Sequence, residues 1–141
     1  METDTAHRPR RYAEEAPPAG RILVVDDQEN LCWVLARILS ERGHVVRTAA
    51  SGSLAIRAAA GFDCQVAIVD YRLPDTNGTA LIARLRADAP RLRAILMTSY
   101  GSEALREEVR ASGLHGYFEK PFVNLRMIAS VESAIRESLV P

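Results

Sequence analysis

Five side chains of this 141-residue chain stand where they could handle a small anion: Asp26, Asp27, Asp70, Thr98 and Lys120. Lys120 is the only lysine among 18 basic residues, and it precedes a proline in Tyr117-Phe118-Glu119-Lys120-Pro121-Phe122. An ammonium on a flexible stem acts as a compact point charge, whereas guanidinium is a wider planar fork. Three carboxylates brought into one place repel each other, and a divalent cation is the usual remedy. An oxygen-only donor set without His or Cys favours Mg²⁺ over zinc or copper, and Mg²⁺ readily completes its shell with a phosphate oxygen. Lys120 would add a second positive charge and Thr98 a hydrogen bond, together neutralising the equatorial oxygens of a phosphoryl group in flight. Asp70, followed by a turn, could accept that group as an aspartyl phosphate. Each residue also has a plainer use. An Asp-Asp pair after a strand commonly caps a helix, a strand-end threonine satisfies backbone, and a lone lysine is a solvated charge.

The elements must bring these five together. Ile22-Leu23-Val24-Val25 is a short continuous apolar run, the mark of a strand buried on both faces. Glu29 to Glu41 follows a helical period, with Leu31, Val34, Leu35, Ile38 and Leu39 on one side and Gly43 as the stop. Val45–Thr48 reads as a second strand, Ser51–Ala60 as an Ala-rich helix ended by Gly61, and Gln65–Val69 as a buried strand delivered into Asp70. Leu73-Pro74-Asp75-Thr76-Asn77-Gly78 is dense in turn formers. Then come a helix over Thr79–Ala87, a buried strand over Ala94–Met97, and a more polar helix over Ser102–Ser112 before Gly113. A fifth strand, Leu114–Phe118, leads to a last helix over Asn124–Leu139 with Leu125, Ile128, Val131 and Ile135 in register. Such alternation implies a parallel sheet covered on both faces, with right-handed crossovers. In open sheets of this kind ligands bind beyond the carboxyl ends of the strands. Asp26, Asp27, Asp70, Thr98 and Lys120 all fall there, so they should converge.

Composition sets outer limits. The formal net charge is zero, from 18 basic and 18 acidic residues, which argues against nucleic acid or an anionic membrane as direct partner. Cys32 and Cys64 have neither metal-ligand spacing nor the density of a disulfide framework, so they read as reduced thiols. No apolar run precedes Arg21 and the longest runs are strand-length, so neither a secretory signal nor a transmembrane helix is expected and the cytoplasm is the expected location. Residues 1–20, with Pro9, Pro17, Pro18 and charges of both signs, show no periodicity and read as a mobile tail before a domain over 21–140.

Four motifs in order, Ile-Leu-Val-Val-Asp-Asp, Asp70-Tyr-Arg-Leu-Pro-Asp-Thr-Asn-Gly, Leu96-Met-Thr-Ser and Tyr117-Phe-Glu-Lys-Pro-Phe, resemble the receiver domain of bacterial two-component response regulators. The resemblance covers about residues 20–140. It implies a flavodoxin-like (βα)5 doubly wound fold whose five-stranded parallel sheet has the order 2-1-3-4-5. It further implies that Asp70 takes a phosphoryl group from a phosphohistidine on a sensor histidine kinase or histidine phosphotransfer protein. Asp27, Asp70 and the backbone carbonyl of Arg72 would bind Mg²⁺, with Asp26 acting largely through a water. Thr98 and Lys120 would contact the phosphoryl oxygens, Tyr117 would be the aromatic that swings inward on activation, and Lys120-Pro121 would be cis. The helix Ser102–Ser112, the last strand and the last helix would form the face that meets a downstream target or a second copy.

Three further expectations come from the residues beside these motifs. Arg72 and Tyr100 flank the path of the water that would hydrolyse the acyl phosphate, so a fairly long-lived phosphoryl state is expected. Trp33 lies off the apolar stripe of its helix, pointing to a partner surface with Asn30, Leu31, Val34 and Phe122. The chain ends just after its last helix without an obvious linker, which favours a stand-alone receiver over a piece of a larger transcriptional regulator. A phosphorylation-independent interaction domain is the other alternative. An aspartyl-nucleophile phosphatase would need a carboxylate two residues after Asp70, where Arg72 stands, so no enzyme of that kind is expected.

Overall fold

Apolar runs become strands and amphipathic stretches become helices throughout the computed structural model, which describes residues 19–140. The order is β1 (Arg21–Val25), α1 (Glu29–Glu41), β2 (Val45–Ala49), α2 (Gly52–Ala59), β3 (Val66–Asp70), α3 (Gly78–Asp88), β4 (Arg93–Thr98), α4 (Glu103–Ala111), β5 (Gly116–Glu119) and α5 (Asn124–Ser138). The five strands form one sheet of order β2-β1-β3-β4-β5, every pair parallel. This is the expected flavodoxin-like architecture, and the strand order reverses between β1 and β3.

The alternating faces of the central strands explain the two-sided core. Ile22, Val24, Ile68, Ile95 and Met97 face α1 and α5, while Leu23, Val25, Ala67, Val69 and Leu96 face the α2–α4 side. All ten are fully buried. Each large apolar side chain so placed stabilises the fold by roughly 1.5–3 kcal/mol before entropy is counted. At the edge, β2 leaves Val45, Arg47 and Thr48 exposed, a polar border that discourages further strand pairing.

Helix ends follow local chemistry. Ser51, Asn77 and Ser102 each accept a backbone N–H three residues on, from Leu54, Ala80 and Leu105. Gly43, Gly61 and Gly113, read as stops, take φ of 96°, 71° and 65°.

Three sequence expectations are corrected. Leu125 is 76% exposed, and Met127 joins Ile128, Val131 and Ile135 on the buried face. The first turn of α5 stands at the rim where the strands stop, so period alone put Leu125 over a core that is absent there. Residues Leu114 and His115 still belong to the turn before β5, which pairs only from Gly116. The expected tail, 1–20, lies outside the described residues up to position 18, but Gly20 is buried and belongs to the domain. Its N–H donates to His44 Nδ1 at 3.0 Å and its carbonyl accepts from Val45 N. Among the described residues no helix is long and apolar enough to cross a membrane.

Candidate functional site

Strand ends deliver the acidic group. Asp26 follows β1 and is held from behind by its own N–H, which donates to Ala49 O at 3.0 Å. Asp70 is the last residue of β3 and pairs with Met97 of β4. Asp26 is 1% exposed and Asp70 7%, while Asp27 stands exposed at the mouth. Carboxylate oxygens of all three lie within 4.8 Å of one another. The expected capping alternative is not what the pair does. Gln28 holds the N-cap position of α1 without a side-chain cap bond, and Asp26 Oδ1 instead accepts from Gln28 N at 2.9 Å.

Lys120 crosses to this group from the far end of β5. Its Nζ donates to Asp26 Oδ2 at 2.6 Å and to Gln28 Oε1 at 3.0 Å, and lies 3.1 Å from Asp70 Oδ1. Its own N–H donates to Thr98 O at 2.7 Å, and the Lys120-Pro121 bond is cis, as expected. Gln28 is a lysine partner that the sequence reading did not name. Its only signal was its place directly after the acidic pair.

Electrostatics follow from this crowding. Burial pushes the Asp70 carboxyl above its ordinary range and the Asp26 charge adds to the push; Lys120 pulls back without cancelling them. For Lys120 burial works against the charged form, but the hydrogen bonds and charges of Asp26 and then Asp70 outweigh it and raise its pKa. Cys32, 6% exposed, donates its Sγ–H to Asp26 O at 3.2 Å; burial pushes the thiol up to about 11, which keeps it unreactive.

The loop after Asp70 is folded tightly against the site. Arg72 bridges to Asn77, and Gly78 N donates to Tyr71 O at 2.6 Å. A Cβ on Gly78 would come 2.6 Å from the Asp70 carbonyl oxygen, so only glycine lets α3 begin there. Asp75 in the same loop reaches back to α2, accepting from Gly52 N at 2.8 Å and Ser53 N at 2.9 Å. Sequence placed Asp75 in a turn but could not show its contact with a helix 22 residues upstream.

Thr98 is buried at the end of β4, and its Oγ1 accepts from Tyr100 N at 3.2 Å, so the hydroxyl also serves backbone. The Arg72 guanidinium stacks over the Tyr100 ring, 5.4 Å from its centroid, joining the two residues expected to flank the mouth. Tyr117, half-buried against the α2–α4 side of the core, donates its OH to Glu119 Oε2 at 2.8 Å, and Arg106 donates to the same oxygen at 2.8 Å. Burial and the Glu119 bond push the tyrosine up to about 12. Glu119 was not singled out from sequence, because its role exists only when α4 and β5 are side by side.

The expected partner surface is only partly open. Asn30 is exposed, Leu31 and Val34 are half-buried, and Phe122 packs edge-on against Phe118 with centroids 5.6 Å apart. Trp33 is 62% exposed under the Arg37 guanidinium, and with Leu54 it lines a groove that begins at Asp26.

An oxygen-only triad of carboxylates at this spacing, with one oxygen set at the mouth, fits a hard divalent cation. A buried carboxylate at a strand end with an ammonium beside it can act as a nucleophile toward a phosphoryl group.

Comparisons with known proteins point the same way. A family model described as the response regulator receiver domain matches residues 22–132. A transcriptional regulatory protein, TcrA of Mycobacterium tuberculosis, is 33% identical over 121 residues, 86% of this chain and 48% of the relative. The chain thus spans about half the length of that relative. Among solved structures, a CheY-like receiver domain protein from Methanospirillum hungatei superposes with a TM-score of 0.79 at 25% identity, over 85% of this chain and 96% of the other. A Burkholderia pseudomallei response regulator, solved with a phosphorylated aspartic acid, calcium ion and citrate, gives 0.73 at 30% identity, over 84% and 69%.

Proposed function

Because this chain belongs to the response regulator receiver domain family, we propose that Asp70 is its phosphoacceptor in two-component signalling. The reading rests above all on the meeting of Asp26, Asp27 and Asp70 within 4.8 Å beside the Lys120 ammonium. The donor is a phosphohistidine on a sensor histidine kinase or a histidine phosphotransfer protein. An Asp70 carboxylate oxygen attacks phosphorus, the P–N bond breaks, and its electron pair returns to the donor imidazole. Asp26, Asp27, Asp70 and the Arg72 carbonyl would hold Mg²⁺, which when bound offsets charge among the carboxylates and on the transferring group. Lys120 is anchored by Asp26 and Gln28, so its ammonium can turn to the new phosphoryl oxygens without leaving the site. The occupied Burkholderia relative, with its phosphorylated aspartate and calcium ion, supports this assignment by similarity.

The phosphoryl group on Asp70 then carries up to two negative charges, one more than the carboxylate it replaces, and three acceptor oxygens. The Thr98 hydroxyl leaves Tyr100 N for those oxygens, and Tyr117 leaves Glu119 for the space vacated. The surface of α4, β5 and α5 is remodelled for a downstream protein or a second copy. Trp33, Asn30 and the open edges of Leu31 and Val34 receive the donor protein. The domain that begins at Gly20 is the working unit, and both the stand-alone form and a receiver within a longer transcriptional regulator are compatible with it.

The test is intact mass after incubation with acetyl phosphate and Mg²⁺. The expected result is one added phosphoryl mass, lost in Asp70→Asn and without metal. An unmodified native protein would point instead to a phosphorylation-independent interaction domain.

A further inference from the structure

Three arginines at the opposite pole from Asp70 have no part in the phosphoryl chemistry. Arg86 sits in the last turn of α3, Arg91 follows Pro90 in the α3–β4 loop, and Arg93 opens β4. The loop folds back through a bond from Leu92 N to Ala89 O at 3.0 Å, and Leu92 plugs the core at 5% exposure. That turn gathers the three arginines around a cleft of about 340 Å³, completed by Pro90, Leu92 and Ser138.

Their hydrogen bonds are unevenly used. Arg86 joins its own loop to the end of α4, with donors to Leu92 O at 3.4 Å and to Ser112 O and Gly113 O at 3.2 Å each. Arg91 donates to Val140 O at 3.0 Å. Arg93 Nε is buried and has no partner among the described residues. The carboxylate facing Arg93, Glu137, lies 3.8 Å from its NH1 and is shared with His115 Nδ1 at 3.5 Å. A guanidinium carries five N–H donors, so among the described residues most of those on Arg91 and Arg93 are unspent. A buried donor left unpaired carries the cost of its lost hydration until a ligand or water meets it.

The geometry points to an oxyanion site in this cleft, one that takes the phosphate group of a small phosphate-bearing molecule on Arg91 and Arg93 with Arg86 as a fixed wall. Planar forks meet phosphate oxygens bidentately, which a single ammonium cannot do. Among the described residues, one shared carboxylate against three arginines leaves the cleft positive. Its volume is at the low end of small-ligand sites, roughly 300–1,000 Å³, which suits a phosphate with a small appendage rather than a polymer.

The test uses the ¹⁵N-labelled full chain in EDTA, so that the carboxylate triad holds no metal. Inorganic pyrophosphate is titrated at constant ionic strength while the arginine Nε–Hε signals are followed. Saturable shifts of Arg91 and Arg93 are expected, unchanged in Asp70→Asn and weakened about tenfold in Arg93→Gln, the loss of one charge-assisted contact. Arg91→Gln, at an exposed loop position, should weaken binding similarly with an unchanged melting temperature, and so guards against a folding defect in the Arg93 variant. Shifts that never saturate, that acetate reproduces, or that persist in both glutamine variants would overturn the site. So would shifts that vanish in Asp70→Asn.

Discussion

Asp70 carries an electrostatic cost that can be measured. Burial and the neighbouring Asp26 raise its pKa above the ordinary 3.8, so the native state holds this proton more tightly than the unfolded chain. Below the ordinary value both states are protonated and nothing is lost. As pH rises from there through the raised value the unfolded chain ionises first, and native stability falls. Asp70→Asn should therefore raise the melting temperature at pH 7 by a few degrees, on the order of 1 kcal/mol, and the gain should disappear near pH 3. Thermal unfolding of both proteins at the two pH values decides it; equal melting temperatures at pH 7 would remove the crowding argument. A second residue-scale effect belongs to the Arg72–Tyr100 stack, 5.4 Å from guanidinium to ring centroid. If this pair shields the acyl phosphate from in-line water, Arg72→Ala or Tyr100→Ala should speed its decay ~2–5-fold, as loss of an exposed cation–π contact would allow. Unchanged decay rates of the phosphorylated variants would show that water enters elsewhere.

Among elements, α5 meets the rest of the fold through one buried carboxylate as well as its apolar face, and hydrophobic period does not mark it. Glu132, 5% exposed, accepts from Arg42 Nε and NH2 at 2.5 Å each, and from His44 Nε2 at 2.9 Å. Because His44 Nδ1 accepts from Gly20 N, the proton lies on Nε2, and the cluster ties α5 to the ends of α1 and β1. Burial alone would raise the Glu132 pKa, but the Arg42 and His44 bonds prevail and lower it. Its stabilisation is thus present above the ordinary glutamate value of 4.5 and lost as pH falls through the lowered one. Glu132→Ala should cost about 3 kcal/mol at pH 7 in urea unfolding, with a smaller difference near pH 3. A cost below about 1 kcal/mol would show that α5 is held by its apolar face alone. On the other side of β5, Glu119 holds Tyr117 and Arg106 together. Glu119→Gln should favour the inward tyrosine, and phosphorylated and unphosphorylated proteins should then differ less in the Tyr117 ring signals than they do in the native chain.

At the scale of the whole molecule, a cation held by the carboxylate triad as proposed would link folding to metal. Mg²⁺ bound only by the native state stabilises it by RT ln(1 + [Mg²⁺]/Kd), about 1.4 kcal/mol at ten times Kd. Native protein should melt higher in Mg²⁺, and Asp27→Asn should lose most of that gain; an equal gain in the variant would place the cation elsewhere. The fold itself was largely legible from the sequence. Short continuous runs such as Val66–Val69 read as strands buried on both faces, and their alternation with amphipathic helices leaves little but a covered parallel sheet. Asp26, Asp70, Thr98 and Lys120 could be assigned to one rim because strand ends in such a sheet share one edge. Those are consequences of local periodicity and chain direction, which a sequence carries residue by residue. Tertiary structure alone decided what lies between elements distant in the chain: Gln28 on Lys120, Asp75 on the start of α2, Glu132 with Arg42 and His44, and the unpaired Arg93 Nε. Those pairings depend on angles and distances set by packing, and polar side chains carry no period that announces their partners.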